Sequence, residues 1–446
     1  MSRLDSVCRR AVYALLVLIL SGCASSAHYT LNQTLNEPRE LSGYRLQNLS
    51  SQENSDDIIL TVAFSGGGYR AAALAYGVLD ELRQTEIIHN AQKKRLLDEI
   101  DVISSVSGGS LTAAYYALHR EKTFSQFESE ILRQDLQSII AGRIMSPRGL
   151  FRVNSHRFGR ADIVQEVLDE KVFAGKTFAD LPFQRPLVII NATEMIRGER
   201  FEFTQGEFDR LCSDLNPFPV ARAVAASMAI PVVFSPITLW NYSDRCPVPP
   251  TRLSARPNGH LPNYLHLLDG GLSDNIGVRG TVELINHQGG LVSAIRQAGF
   301  RRIKHMVFII VNAETTPQFE EDFSPDTPTL LRTFRAFIDI PINRYSGESL
   351  RLLRSHLAIW RNELQRSLPA ETDGLIDDNA QFHLIEISFD QVRDESLRTT
   401  LRNIPTTLRL DPADITILKQ TAAQLLHDSP DFSRFLKAIN PGKPGH

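Results

Sequence analysis

Two turns rich in glycine and serine, about forty residues apart, carry the residue types best suited to chemistry in this chain. The first turn contains Gly66, Gly67 and Gly68, and the second presents Ser107 just ahead of Gly108. Consecutive glycines let backbone N–H groups approach an anion closely. A serine at the tip of a sharp turn between a strand and a helix exposes its hydroxyl as a nucleophile. Together, the turns would supply the nucleophile and the oxyanion donors of an acyl-transfer site.

Both turns also have other interpretations. Ser107 lies where a helix is predicted to begin, so capping that helix is an equally good role for it. The glycine turn matches a dinucleotide-binding pattern over 66–71, but that pattern needs a strand that ends in an acid about 20 residues later. The region of Glu86 instead continues or follows a helix. No Gly-Lys-Ser/Thr follows the glycines, which argues against a phosphate-binding loop.

A serine nucleophile needs a base, which is usually a histidine held by a carboxylate. Asp269 ends an apolar run and precedes two glycines, a position that favours a functional side chain in an open parallel sheet. A partly desolvated aspartate is basic enough to act on serine directly, although Asp-Gly is also a common turn. None of the histidines after Asp269 lies in an obvious loop at a strand end; they are His287, His305, His356, His383 and His427.

The elements around these turns predict an α/β protein. Strand–turn–helix units in succession imply a parallel sheet with right-handed crossovers. Small apolar residues also predict a helix over 220–228, and a last helix opens with Asp411 as its cap and Pro412 in its first turn. The predicted strands are 58–64, 101–104, 186–191, 264–268, 306–311 and 382–389.

Three further segments have patterns of their own. Residues 143–176 are predicted to be helical and basic, with arginine and phenylalanine interspersed. Residues 200–203 alternate in the manner of one arm of a hairpin. Residues 328–366 are predicted to form two helices with many arginines. For these helices a solvated face is favoured over a cover on the site or a contact with lipid.

Composition excludes several classes of partner. The chain has 446 residues, of which 42% are hydrophobic, as is ordinary for a protein with a large core. The formal net charge is −3 and the basic residues are scattered, so we expect no nucleic-acid partner. The sequence has no cysteine–histidine cluster with zinc spacing and no carboxylate loop with calcium spacing, so we expect neither a metal nor a cofactor.

The N-terminus has the pattern of an exported lipoprotein. Three arginines precede an apolar stretch over 11–20, which is too short to span a membrane and suits a signal peptide. It ends in Leu-Ser-Gly-Cys at 20–23, which resembles a bacterial lipobox and implies cleavage before Cys23 and lipidation of that cysteine. An ordinary signal peptide with an incidental cysteine is the alternative. In an exported protein, Cys212 and Cys246 either pair as a disulfide or remain two thiols.

Taken in order, four motifs make the chain resemble the patatin-like phospholipases, which are serine acyl hydrolases with a Ser–Asp dyad. Their order and spacing agree over about residues 57–315, so together they are far more specific than any one alone. Ser65, Ala71 and Ser105 depart from the residues usual in the family. The motifs are Gly66-Gly67-Gly68-Tyr69-Arg70, Ser105-Val106-Ser107-Gly108-Gly109, residues 225–236, and Asp269-Gly270-Gly271 with Asn275 shortly after.

The resemblance implies both a fold and a set of site residues. The fold would have three layers, with a mostly parallel central sheet flanked by helices and with helical additions at the C-terminus. Arg70 would either neutralise a phosphate or hold its loop. The implied site consists of the nucleophile Ser107, the base Asp269, the oxyanion donors Gly66, Gly67 and Gly68, and the supporting residues Arg70 and Gly108.

These observations define an expected organisation and function. We predict a signal peptide over 1–22, a polar tether over 23–56, a catalytic domain over 57–315 and an α/β extension packed on it over 316–446. The expected function is hydrolysis of a membrane lipid or another ester by an enzyme anchored through Cys23 to the bacterial envelope. In a Gram-negative cell this means the periplasmic side of the outer membrane. The alternatives are a catalytically silent lipoprotein that binds lipid, and an esterase with a Ser-His-Asp triad.

Overall fold

The computed structural model describes residues 28–35, 42–89, 92–246, 262–315, 325, 327–366 and 374–440. The predicted signal peptide and Cys23 therefore lie outside the described residues. The strands are β1 (Gln33–Thr34), β2 (Ile58–Phe64), β3 (Glu86–His89), β4 (Gln92–Arg95), β5 (Ile100–Val106), β6 (Leu187–Glu194), β7 (Arg200–Glu202), β8 (Ser213–Asp214), β9 (Ile237–Trp240), β10 (Tyr264–Asp269), β11 (Ile303–Asn312) and β12 (Ile376–Ser388).

The α-helices connect and cover these strands. They are α1 (Gly68–Gln84), α2 (Gly108–His119), α3 (Thr123–Phe127), α4 (Leu136–Met145), α5 (Pro147–Val153), α6 (Arg160–Leu168), α7 (Gln205–Arg210), α8 (Val220–Ser227), α9 (Gly271–Asp274), α10 (Arg279–His287), α11 (Leu291–Gln297), α12 (Leu330–Arg366), α13 (Glu395–Asn403), α14 (Pro412–Asp428) and α15 (Pro430–Ile439). None of those in the described part of the chain is long and apolar enough to cross a membrane.

The central sheet is mixed, with a parallel core. Its strands lie in the order β12-β11-β2-β5-β6-β10-β9, and β7 pairs with β6 off this path. The first five run parallel, and β10, β9 and β7 pair antiparallel. The predicted α/β fold with a mostly parallel sheet is therefore confirmed, and so is the predicted hairpin arm, which is β7.

Helices cover both faces of this sheet and produce three layers. Alternate residues of β11 belong to different buried apolar clusters: Val307 and Ile309 pack in one, Phe308 and Ile310 in the other. Side chains of a strand alternate between the two faces of its sheet, so each cluster lies on one face. The larger cluster includes the apolar faces of α1 and α14, and the smaller includes Trp360 of α12.

The direction of β10 differs from the expectation. We expected its end, Asp269, to lie at the carboxyl edge of a parallel sheet, but β10 runs antiparallel to β6. Asp269 nevertheless pairs in register with Ala192, close to Asn191, which pairs with Val106 at the end of β5. The register of β10 against β6, and not the direction of β10, therefore places the Asp269 carboxylate at the end of the sheet where Ser107 lies.

Residues beyond 315 belong to the same sheet. β12 lies parallel to β11 as the edge strand, and Gly77 of α1 packs closely against Lys419 and Ala422 of α14. The segment predicted as two helices over 328–366 is one helix, α12, with Pro341 inside it. Ile338, Leu353 and Trp360 are buried along this helix, and their packing offsets the cost of an interior proline.

The described parts of the predicted tether pack against the rest of the protein. Tyr44 and Leu49 are buried in the core, although the segment is polar overall. β1 pairs antiparallel with β8, which follows Cys212 directly. Cys212 and Cys246 form a disulfide with their Cα atoms 5.8 Å apart, so the first of the two alternatives for these cysteines holds.

Candidate active site

Ser107 occupies a sharp turn that its neighbours make possible. It lies between β5 and α2 with φ 49° and ψ −121°, a left-handed conformation that a non-glycine residue rarely adopts. Gly108 follows because a Cβ there would lie 1.9 Å from the carbonyl oxygen of Gly68. The two predicted turns therefore touch through their backbones, and the strained serine is held between them.

The Ser107 hydroxyl donates a hydrogen bond to Asp269 Oδ2 at 2.9 Å. The other carboxylate oxygen, Oδ1, accepts the Gly271 N–H at 2.8 Å, which fixes the orientation of the carboxylate. Burial raises the pKa of the Asp269 carboxyl to about 6, and the two hydrogen bonds partly oppose that rise. A carboxylate in this state is a stronger base than an exposed one, yet it is still ionised at neutral pH.

Ser227 lies within the motif over 225–236, but the sequence analysis gave it no role in the site. Its hydroxyl accepts the Ser107 N–H at 2.8 Å and donates to the carbonyl of Asn191 at 2.6 Å. Its own carbonyl accepts the Gly270 N–H. Ser227 therefore connects the serine turn to the aspartate turn from the end of α8. The sequence signal for this role was a serine at the end of an otherwise apolar, alanine-rich helix. A buried polar side chain in such a place needs hydrogen-bond partners nearby.

The three glycines of the first turn are not equivalent. Gly67 and Gly68 have positive φ values of 138° and 59°. The Gly66 N–H already donates to the carbonyl of Asn275 at 3.1 Å, so it is not free to serve as the oxyanion donor that was predicted. Within the described residues, the N–H groups of Gly67, Gly68 and Gly108 have no protein acceptor. These three groups flank Ser107 and begin two helices, where the helix dipole favours negative charge.

Arg70 holds the glycine turn in place. Its side chain is buried, its Nε donates to the carbonyl of Ala313 at 2.9 Å, and its Nη1 donates to the carbonyl of Ile404. Burial lowers the pKa of its guanidinium to about 10, which leaves it charged at neutral pH. Arg70 was predicted either to neutralise a phosphate or to hold its loop, and these contacts correspond to the second role.

The chain beyond residue 315 completes the surroundings of this turn. Thr407 accepts the Tyr69 N–H through its carbonyl at 2.8 Å, and a Cβ on Gly68 would lie 2.6 Å from the same oxygen. From the other side, Asn275 donates to the Ser346 hydroxyl of α12 at 3.1 Å. The glycine turn is therefore enclosed by residues that no local motif predicts, because they come from distant parts of the sequence.

The candidate histidines lie elsewhere. His305 pairs in register with Ile58 at the start of β2, so it lies at the end of the sheet opposite to Ser107. His383 pairs in register with Val307 of β11. Burial lowers the pKa of His383 to about 4. His356 hydrogen-bonds the Leu352 carbonyl, and His427 pairs with Glu81 near the far end of α1. No described histidine hydrogen-bonds Ser107 or Asp269.

The nucleotide alternative has no support in the geometry. Glu86, the nearest acid at the required spacing, begins the β3–β4 hairpin, which forms a separate two-stranded sheet. It therefore lies off the strand that would bind a ribose in a dinucleotide fold. Among the described residues, no group of three or more His, Cys, Asp and Glu side chains is placed to hold a metal ion.

The fold is an α/β scaffold, and the part of it that carries the candidate site matches one family of known proteins. Residues 62–282 match the family model described as patatin-like phospholipase, so the chain carries a domain of that family. The match covers β2 to α10 and includes Ser107 and Asp269. Among curated proteins, none matches the chain.

Solved structures similar to this chain include human GIVD cytosolic phospholipase A2, at 12% identity and a TM-score of 0.41. That similarity covers 86% of this chain and 60% of the human chain, so this chain spans less than two thirds of that protein. The same human protein in complex with methyl gamma-linolenyl fluorophosphonate matches at 14% identity and a TM-score of 0.41, over 86% of this chain and 58% of that one. VipD from Legionella pneumophila matches at 14% identity and a TM-score of 0.28, over 77% and 76% of the two chains.

Proposed function

We propose that this chain hydrolyses lipid esters with Ser107 as nucleophile and Asp269 as its base. The observation that carries the proposal is the 2.9 Å hydrogen bond from the Ser107 hydroxyl to a buried carboxylate, at a serine with positive φ. The match of residues 62–282 to the patatin-like phospholipase model supports a lipid ester as the substrate. The oxyanion donors are the N–H groups of Gly67, Gly68 and Gly108.

The reaction follows from these positions. Asp269 Oδ2 takes the hydroxyl proton as Ser107 Oγ attacks the ester carbonyl carbon, and the N–H donors stabilise the oxyanion that forms. The tetrahedral intermediate expels the alcohol, which receives the proton from Asp269 and leaves an acyl group on Ser107. A water molecule then attacks the acyl carbonyl and gives a proton to Asp269. The acid leaves, and the proton returns to Ser107.

Covalent labelling of the serine tests this assignment. A fluorophosphonate is expected to add one phosphonyl group per chain, seen as a single mass increase of the intact protein, because Asp269 activates Oγ as a nucleophile. Ser107→Ala should remove the labelling completely, whereas the neighbouring Ser110→Ala should keep it. Labelling of Ser107→Ala to the wild-type extent would contradict the assignment. No labelling and no hydrolysis of any ester by the wild type would favour a silent lipid-binding protein.

The pH dependence of hydrolysis tests the base. Asp269 must be ionised to accept a proton, and its pKa of about 6 means that it is protonated below that pH. We therefore expect kcat/KM for a soluble short-chain ester to rise about tenfold per pH unit up to about pH 6 and then level off. Circular dichroism at each pH would exclude unfolding as the cause of the fall. A profile that a histidine substitution shifts, and Asp269→Asn does not, would favour the Ser-His-Asp alternative.

The cellular location belongs to the same proposal. The lipobox-like residues 20–23 support an envelope protein anchored through acyl chains on Cys23, with membrane lipid as the accessible substrate. Metabolic labelling with palmitate is expected to mark the wild type and not Cys23→Ser. A wild type that takes up no palmitate would leave an ordinary signal peptide as the better interpretation of the N-terminus.

A further inference from the structure

One stretch of the chain has an unusual charge. Residues 136–161 contain five arginines and no aspartate or glutamate, although the whole protein is slightly acidic. The stretch forms α4, α5 and the start of α6. Two of its arginines pair within the protein, Arg143 with Glu170 and Arg152 with Glu166. Arg148 and Arg157 are exposed, and neither has an ion-pair partner among the described residues.

Exposed apolar side chains lie beside these charges. Leu150 and Phe151 on α5 are 45% and 42% exposed, and Val232 and Val233 after α8 are 63% and 50% exposed. Arg160 donates to the carbonyl of Val232, so the loop that carries the two valines lies against the basic stretch. We call Arg148, Leu150, Phe151, Arg157, Val232 and Val233 the docking face.

The docking face is close to the site. The loop that carries Val232 and Val233 follows Ala229, whose carbonyl accepts the Asp269 N–H at 3.0 Å. At the other end of the loop, Ser235 accepts the Ala161 N–H at 3.1 Å through its hydroxyl. The loop therefore joins the basic helices to the turn that carries the catalytic carboxylate.

The N-terminal part of the chain reaches the same face. The Tyr29 N–H donates to the carbonyl of Arg157 at 2.8 Å. Five residues lie between Cys23 and Tyr29, so the two are at most about 22 Å apart even when the chain is fully extended. An acyl chain on Cys23 would therefore hold the docking face next to the bilayer in which that chain is buried.

We propose that the docking face binds an anionic phospholipid bilayer and thereby brings lipid to Ser107. The second part of this inference rests on the proposed function. Exposed arginines interleaved with apolar side chains suit the interface of such a bilayer, where the cations meet lipid phosphates and the apolar groups enter the acyl boundary. The nearby N-terminus favours this occupant over a soluble protein or a second copy of the chain.

Vesicle binding tests the proposal without catalysis. The full chain carrying Ser107→Ala and Cys23→Ser neither hydrolyses lipid nor receives an acyl chain, and residues 1–22 are the same in every variant. At low salt it is expected to bind vesicles of mixed phosphatidylcholine and phosphatidylglycerol about tenfold more tightly than phosphatidylcholine alone. Adding Arg148→Glu with Arg157→Glu should abolish that preference. Leu150→Ser with Phe151→Ser should weaken binding to both kinds of vesicle about tenfold.

Matched controls separate the docking face from general charge and hydrophobicity. Lys122→Glu with Arg301→Glu makes the same change of charge at exposed positions away from the face, and Phe183→Ser removes an exposed aromatic ring at the opposite edge of the sheet. Both controls should bind as the parent does. Equal losses in the controls, or no preference of the parent for anionic vesicles, would overturn the proposal. So would a dimer that Leu150→Ser with Phe151→Ser dissociates, because a second copy would then be the occupant.

Failure of the docking proposal can be distinguished from failure of the proposed function. In the chain with Ser107 intact, Arg148→Glu with Arg157→Glu should leave hydrolysis of a soluble short-chain ester within about twofold of wild type, since neither arginine touches the dyad. Failure of the wild type to cleave any ester would refute the proposed function and leave vesicle binding as measured. Loss of soluble-ester hydrolysis in the double variant would refute the docking role instead.

Discussion

An Asp269→Asn variant is expected to hydrolyse a soluble ester with kcat about 10⁴-fold below wild type, because an amide cannot accept the Ser107 proton. The same substitution is expected to make the protein more stable. Burial raises the pKa of Asp269 from 3.8 to about 6, so between about pH 4 and pH 6 the folded state holds a proton that the unfolded state has released. The ionised carboxylate then costs about 3 kcal/mol at neutral pH, and this cost disappears below about pH 4.

Kinetics and denaturant unfolding at pH 7 measure both effects. The expected pair of results is a large fall in kcat and a rise of about 3 kcal/mol in the free energy of unfolding. Asp274→Asn is the matched control, since Asp274 is also buried with a raised pKa but accepts a bond from the Arg279 N–H and not from Ser107. Its kcat should stay within about threefold of wild type. The combined Ser107→Ala and Asp269→Asn variant should be no slower than Ser107→Ala, because the two groups act as one unit.

Gly108→Ala is expected to damage both stability and activity. The added Cβ would lie 1.9 Å from the carbonyl oxygen of Gly68 and 2.5 Å from its carbonyl carbon, so two backbones must separate by about 1 Å. Overpacking of this kind costs about 3 kcal/mol of unfolding free energy. The separation also moves the N–H donors of both turns away from the oxyanion, which should lower kcat about 10²-fold.

Unfolding in denaturant and turnover of a soluble ester check this expectation together. Gly142→Ala is the control, because a Cβ at Gly142 in α4 meets nothing within 4 Å. It should keep full activity and be stabilised slightly, as alanine favours a helix. A Gly108→Ala enzyme with turnover close to wild type would mean that the contact between the two turns has no role in positioning the donors.

Local patterns predicted the parts of the site that short motifs define. The turn at Ser107, the glycine turn and the end of the strand at Asp269 each combine a short apolar run with small residues, so each is visible within about ten residues of sequence. The alanine-rich helix α8 and the start of α14 at Pro412 were predicted for the same reason, although the Asp411 side chain makes no capping hydrogen bond. These features depend on backbone conformation, which the local residue types largely determine.

The features that were predicted wrongly depend on distant contacts. The antiparallel direction of β10 follows from its pairing with β6, more than seventy residues earlier, and nothing within the strand indicates direction. The unbroken course of α12 through Pro341 depends on Leu353 and Trp360, which pack in the smaller apolar cluster on one face of the sheet. The loss of Gly66 as a donor depends on the carbonyl of Asn275. None of these interactions leaves a periodic signal in the sequence.

Arg70 and Tyr69 have a consequence for how this protein can be divided. Their hydrogen-bond acceptors, Ile404 and Thr407, lie far beyond residue 282, where the family match ends. β11, which separates β2 from β12, lies beyond that residue as well. A chain cut at the end of the matched region would leave a buried guanidinium without acceptors and an apolar strand as an open edge. The smallest autonomous unit of this protein is therefore much longer than the region that matches the family, and its C-terminal third is part of the same folded body.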